Sequence, residues 1–313
     1  MKYIKDILEG DRIVDHYLCR QKQIQKTRSG KNYLSLKLQD KTGAAEAKVW
    51  EMNHDIKDFE ENSIVKIDAI AVIYQNELQI KISKLRPSME GEYEPADYIR
   101  CTEKDIPAMH AQLLKLIDSI ETGCIKKLTA CIIKSEAVSA ALLTHSAARF
   151  MHHGYLGGLL EHTLSVAQTC DFLAGRYKHV NRDILISTAV LHDIGKIFEL
   201  SPLPINEYTD DGQLLGHIII GADLVTAEAA KIEKFPHQLL SLIKHSILSH
   251  HGELEFGSPK QPYTIEAFLL HSADNMDAKA KAFEETVSGM TAPGPWAGYH
   301  KTLARYVRSS QHE

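Results

Sequence analysis

Seven residues of two metal-binding types recur at helical positions through the second half of the chain. They are His162, the adjacent pair His192-Asp193, His217, the adjacent pair His250-His251, and Asp274. Histidine is abundant in this chain, with 17 copies concentrated after residue 140. A lone His-Asp dipeptide is commonplace, but here it is one member of an ordered set: His, His-Asp, His, His-His, Asp. Imidazole and carboxylate ligands together suit Mn²⁺, Fe²⁺ or Co²⁺. No thiolate accompanies them, which speaks against a structural zinc site.

The elements that must carry these residues read as helices. Ile184, Leu185, Val190 and Leu191 form the apolar part of a helix over 181–193 that ends at His192-Asp193, with Gly195 just beyond. Leu239, Leu242, Ile243 and Ile247 make a second, over 236–250, ending at His250-His251; Asp274 lies on a third, over 263–288. Thr102-Glu103-Lys104-Asp105 reads as a helix start, followed by the stripe Met109, Leu113, Leu116, Ile117 and Ile120. Further helices are expected over 124–134, 135–145, 159–177 and 216–232, giving an all-helical bundle. Residues 299–313 are expected to form a short C-terminal helix with a frayed tail.

The first ninety residues follow another period. Leu34, Leu36 and Leu38 alternate with polar residues; Asp40-Lys41-Thr42-Gly43 turns the chain, and Ala45, Ala47 and Val49 resume the alternation. Ile64–Ile73 is an apolar strand, Gln75-Asn76 a turn, and Leu78–Ile82 a returning strand. Short strands with tight turns suggest a small barrel. Between Arg20 and Lys41 stand seven basic residues and one acid, in a chain whose net charge is -5. Arg28, Lys31 and Lys37 belong to that run, while Tyr33 and Trp50 fall opposite the apolar stripes, where bases could stack. Prolines, a glycine and acids over Arg86–Pro95 break the strand pattern and mark a domain boundary, with a linker over 91–101. No run of 18 apolar residues occurs, so no membrane span is expected, and the charged start is unlike a signal peptide. Five cysteines without a CxxC pair fit a reducing cytoplasm.

The ordered histidine-aspartate set resembles the HD phosphohydrolase superfamily in its version with the longer ligand set. The strand order around YLSLKLQDKTGAAEAKVW resembles an OB-fold. Together with HHGYLGGLLEHTLSVA, AVLHDIGKI, LLGHIIIG and HSADNMDAK, the chain is similar to the YhaM family of bacterial 3'-5' exoribonucleases over residues 1 to about 290. That resemblance implies an α+β two-domain protein: an OB-fold over 1–90, a linker over 91–101, and an HD domain over 102–298. It implies two divalent ions, Mn²⁺ first. One would take His162, His192, Asp193 and Asp274; the other would take Asp193 as a bridge with His217, His250 and His251. Adjacent helical side chains diverge by about 100°, so the His192-Asp193 pair serves two ions only through a bridging carboxylate.

Under the same resemblance, hydroxide on the metals attacks the terminal phosphodiester of single-stranded RNA, with single-stranded DNA left open, and releases nucleoside monophosphates. Asp193 and Lys196 are the catalytic candidates, Lys196 as a phosphate contact; Arg149 is a further phosphate candidate. An HD-type phosphodiesterase of a nucleotide or cyclic dinucleotide is the alternative enzyme. A non-catalytic RNA-binding protein is the alternative of another class. Apolar helices between 100 and 150 leave a homo-oligomer open.

Overall fold

The computed structural model describes residues 1–27, 29–74, 77–94, 97–148, 154–290, 294–300 and 303–310. The expected turn at Gln75-Asn76 lies outside them. The chain divides into two compact units, Met1–Cys101 and Thr102–Glu313.

The first unit is a closed barrel of OB type. Its strands are β1 (Arg12–Lys26), β2 (Asn32–Asp40), β3 (Gly43–Val49), β4 (Ile64–Tyr74) and β5 (Glu77–Pro87). Around the barrel the order is β1-β2-β3-β5-β4, and β3 and β5 close it as a parallel pair. Its interior follows from the register of β2 on β3. Leu34 faces Val49, Leu36 faces Ala47, and Leu38 faces Ala45. Setting bulky residues across from small ones lets a narrow barrel fill without voids. Asp40 holds the turn between these strands. Its buried carboxylate accepts from the Thr42 and Gly43 N–H groups and from Ile4 N–H, as an Asx turn requires.

The unit extends past residue 90. Asp97 accepts from Tyr3 Oη at 2.7 Å and pairs with Lys41 at 2.8 Å, and Tyr98 is buried. The stretch expected as a linker is thus fastened to the barrel. β1 had no clean alternating signature. It pairs with both β2 and β4, and a bulge between Cys19 and Gln21 breaks its period.

The second unit is helical: α1 (Ile106–Asp118), α2 (Gly123–Ile133), α3 (Glu136–Thr144), α4 (Gly158–Arg176), α5 (Arg182–Leu191), α6 (Lys196–Glu199), α7 (Asp210–Leu214), α8 (Gly216–Ala230), α9 (His237–Ser249) and α10 (Ile265–Ser288). Asp105 caps α1 by accepting from Ala108 N–H, Asn181 caps α5 through Ile184 N–H, and Thr264 caps α10 through Ala267 N–H. α5 is the axis of the bundle: every residue from Asp183 to Leu191 is buried.

The C-terminal segment corrects an expectation. In place of a short helix it forms a hairpin of β6 (Trp296–His300) and β7 (Arg305–Arg308). Leu303 and Val307, four residues apart, mimic a helical stripe, yet both are satisfied by packing on Ala282, Phe283 and Val287 of α10.

Asp183 ties α5 to α2. Its carboxylate accepts from the backbone N–H groups of Glu121 and Thr122 and from the Thr122 hydroxyl. Burial works against its charge, but these hydrogen bonds from Thr122 and Glu121 hold its carboxyl below the usual value. A depressed folded pKa adds stability above the ordinary carboxylate range that is lost as pH falls through the folded value. Asp183→Asn should cost about 1–3 kcal/mol at neutral pH. In urea unfolding followed by circular dichroism, that gap should begin to narrow near about pH 3.9, the free-aspartate value, and close once the pH has passed the lower folded value. A gap unchanged in acid would refute the assignment.

Candidate metal centre

Each expected donor arrives at the end of a helix or on a buried face. α5 delivers His192 and Asp193, α4 presents His162 from its buried first turns, α8 begins with His217, α9 ends at His250-His251, and α10 carries Asp274 in its middle. The approach of α6 to α8 depends on Gly195. A Cβ there would lie 2.0 Å from the His217 carbonyl oxygen and 2.8 Å from Gly221 N. No side chain fits, so only glycine lets Asp193 and His217 meet.

Four imidazoles are oriented through Nδ1. His192 Nδ1–H donates to the Ala189 carbonyl and His250 Nδ1–H to the Ile247 carbonyl, both at 2.8 Å. His162 Nδ1–H donates to Asp277 at 2.7 Å, and His217 Nδ1–H to Glu199 at 2.9 Å. Glu199 Oε1 also accepts from the His217 backbone N–H at 2.9 Å. Anchoring Nδ1 in this way turns Nε2 of each ring inward, where loss of its proton exposes a lone pair to a cation.

The inward atoms form two groups around Asp193. On one side His162 Nε2 is 3.2 Å from His192 Nε2, 3.2 Å from Asp274 Oδ1 and 3.4 Å from Asp193 Oδ2. His192 Nε2 is also 3.4 Å from Asp193 Oδ2. On the other side Asp193 Oδ1 is 3.5 Å from His217 Nε2 and 3.7 Å from His250 Nε2. His251 joins that group, its donor within 4.8 Å of those of His217 and His250.

These donors fit divalent ions. Asp193 Oδ1, His217 Nε2 and His250 Nε2 are buried and make no hydrogen bond. Orphaned polar atoms in a protein interior are rare and costly. Three of them facing one point are explained by a cation. Donors about 2.1 Å from a shared ion stand roughly 3.0–3.5 Å apart, close to the spacings here.

The charges are consistent with that fit. Burial and the neighbouring His192 and His251 hold His250 well below the usual histidine value, so it stays neutral and able to ligate. Burial opposes the charge on Asp193, yet Lys196 and His192 outweigh it and keep the carboxyl well below its ordinary range. Burial likewise opposes charge on His162, but Asp193, Asp274 and Asp277 hold its proton above the usual value. A cation must therefore displace a proton there.

Lys196, expected as a phosphate contact, has its ammonium 2.7 Å from Asp193 Oδ2. Among the nucleic-acid candidates, Lys31 and Lys37 are exposed on the barrel. Tyr33 is only 9% exposed because Trp50 stacks on it, with ring centroids 4.6 Å apart, so the pair presents Trp50 and not two open faces. Lys48 lies over both rings and over Tyr74. Arg28 and Arg149 lie outside the described residues.

Sequence reasoning missed Glu199 and Glu161, and left the role of Asp277 open. Glu161, buried beside His162, accepts from Thr102 and Tyr155 and pairs with Lys104 and Lys281. Burial opposes its charge, but Thr102, Lys104 and Tyr155 bring its carboxyl down to about 2. A cleft of about 290 Å³ opens here, lined by Lys104, Glu161, Ser165, Asp277 and Lys281. An acid in a sequence carries no sign of its partner: Glu199 is 18 residues from His217, and Asp277 is 115 from His162.

Known proteins place both units. The HD domain model matches residues 159–279 and the OB-fold nucleic acid binding domain model residues 20–88. A protein of Geobacillus sp. (strain WCH70) named 3'-5' exoribonuclease YhaM is 33% identical over 261 residues, which cover 83% of this chain and 80% of that one. One of the same name from Bacillus velezensis is 32% identical over 272 residues, 86% of each chain.

Removing the carboxylates behind the histidines should loosen the ions without touching a donor. Glu199→Ala and Asp277→Ala should each weaken divalent-metal affinity roughly 10–100-fold. Glu199→Gln, which keeps an acceptor, should weaken it less. Chelator competition with elemental analysis measures this. Unchanged affinity in both alanine variants would show that the histidines hold their orientation unaided.

Proposed function

The chain belongs to the YhaM family of 3'-5' exoribonucleases, and from that premise we propose how its residues share the work. It is a metal-dependent 3'-5' exoribonuclease built from an OB-fold unit and an HD unit. The observation that carries the reading is the convergence of Asp193 Oδ1, His217 Nε2 and His250 Nε2 as buried, unpaired donors around one carboxylate.

Asp193 is the shared ligand, with Oδ2 turned to His162 and His192 and Oδ1 to His217 and His250. His162, His192 and Asp274 complete one position; His217, His250 and His251 complete the other. Bound at these positions, divalent ions, Mn²⁺ by preference, would supply Lewis acidity and a more acidic water.

The protein's residues do the rest. Asp277 and Glu199 fix the two rings that no helical carbonyl orients. Lys196 keeps its charge despite burial, because Asp193 stabilises it, and it adds positive field where charge accumulates on a transferring phosphate. No serine or cysteine nucleophile is required.

On the barrel, Lys31, Lys37, Trp50 and Lys48 are the contacts we assign to the strand, by phosphate pairing and stacking; Tyr33 backs Trp50. The substrate is single-stranded RNA, with single-stranded DNA as a weaker one, and the product is a nucleoside monophosphate. Among the described residues no helix is long and apolar enough to cross a membrane. The five cysteines are unpaired, and burial pushes the Cys19 and Cys170 thiols up to about 12, which suits a reducing cytoplasm.

A time course on 5'-labelled single-stranded RNA with Mn²⁺ tests the reading. A ladder shrinking from the 3' end and stopped by EDTA is expected, and Asp193→Ala should abolish it while the protein remains folded. Intact RNA from a metal-loaded protein, or a folded Asp193→Ala variant with most of its activity, would refute the proposal.

A further inference from the structure

The hairpin of β6 and β7 has an outer face with the chemistry of a single-strand platform. Pairing sets Trp296 opposite Arg308 and Tyr299 opposite Tyr306, and a bulge between Trp296 and Gly298 brings Trp296 and Tyr299, three residues apart, to the same side. Residues directly opposite in an antiparallel pair share a face, and the next residues alternate away. Tyr306 and Arg308 therefore lie on one side of β7, and the buried Val307 lies on the other, against α10.

Three aromatic side chains share the outer side with Arg308: Trp296 is 59% exposed, Tyr299 57% and Tyr306 69%. Tyr299 and Tyr306 meet edge to face, with centroids 5.4 Å apart. Single exposed aromatics occur elsewhere in the chain, but exposed rings gathered on one face mark an interaction site.

Charge indicates the partner. From Thr286 to His312 the sequence holds no acid, yet it holds Lys301, Arg305 and Arg308, in a chain of net charge -5. Open rings beside Arg308, on two strands that carry two arginines and no acid, match bases and phosphates. The position fits as well. The hairpin packs on α10 at Ala282, Phe283 and Val287. At 1.5 Å per residue, that is about 12–20 Å along the helix from Asp274.

We propose that the β6–β7 hairpin is a second single-strand RNA-binding surface, in which Trp296, Tyr299 and Tyr306 stack on bases and Arg308 contacts a phosphate. It lies on the HD unit itself and is additional to the barrel. The inference rests on the exoribonuclease reading.

The test uses the full-length, metal-loaded protein and a 5'-labelled single-stranded RNA with phosphorothioate linkages at its 3' end. Fluorescence anisotropy should give binding about 5- to 100-fold weaker for Trp296→Ala and Tyr306→Ala. Arg308→Ala should lower the slope of log affinity against log salt by about 0.7. Melting temperature and metal content should match the parent. If the parent shortens RNA but folded variants bind it as tightly and with the same salt slope, the hairpin proposal falls alone. If the parent neither binds nor shortens RNA, the premise falls and the proposal with it. A variant that loses self-association in size exclusion while keeping RNA affinity would assign the face to a second copy, and would likewise overturn it.

Discussion

The second unit depends on one buried carboxylate. Asp193 is 2% exposed, and an ionised group so far from water is tolerated only when other charges and donors surround it. Its oxygens divide the centre: Oδ2 meets Lys196, His162 and His192, and Oδ1 faces His217 and His250. The fully buried α5 fixes where that carboxylate stands. The close approach permitted by Gly195 fixes what can face it. Each of the other donor helices packs so as to end, begin or pass at this point, so the apolar core of the bundle and its chemistry are arranged about the same few atoms.

The four anchored histidines are held in two ways. His192 and His250 donate to carbonyls three residues earlier, within their own helices. His162 and His217 donate to carboxylates that other segments bring to them. A neutral acceptor orients a ring, while an anionic one also raises its basicity as a ligand. Each side of Asp193 has one ring of each kind, a symmetry that the chain order of the residues hides.

Much of this was legible in the sequence, because it rests on periodicity and residue type. Leu34, Leu36 and Leu38 alternate as a strand does, and the apolar residues from Ile184 to Leu191 fit a buried helix that ends at His192-Asp193. The donors at helix ends were visible as an ordered set. Their supports were not, since Glu199 and Asp277 look like any other acids until tertiary packing sets them on a ring nitrogen. β1 escaped because a bulge and two pairing partners blur its period. The C-terminal segment was expected to be a helix, and it is the packing of Leu303 and Val307 on α10 that reveals the hairpin. Alternation put Tyr33 opposite the leucine stripe but does not reveal that Trp50 covers it.

The bond between His162 and Asp277 spans 115 residues, and that span sets an order of assembly. Synthesis proceeds from the N-terminus, so His162 emerges long before its anchoring carboxylate and before Asp274. The backbone-anchored rings can adopt their tautomers as soon as their own helices form. The carboxylate-anchored pair must wait, and the wait for His162 ends only when α10 has been made and docked. A growing chain thus holds an incomplete set of donors until α10 has been added, however early its other helices have folded.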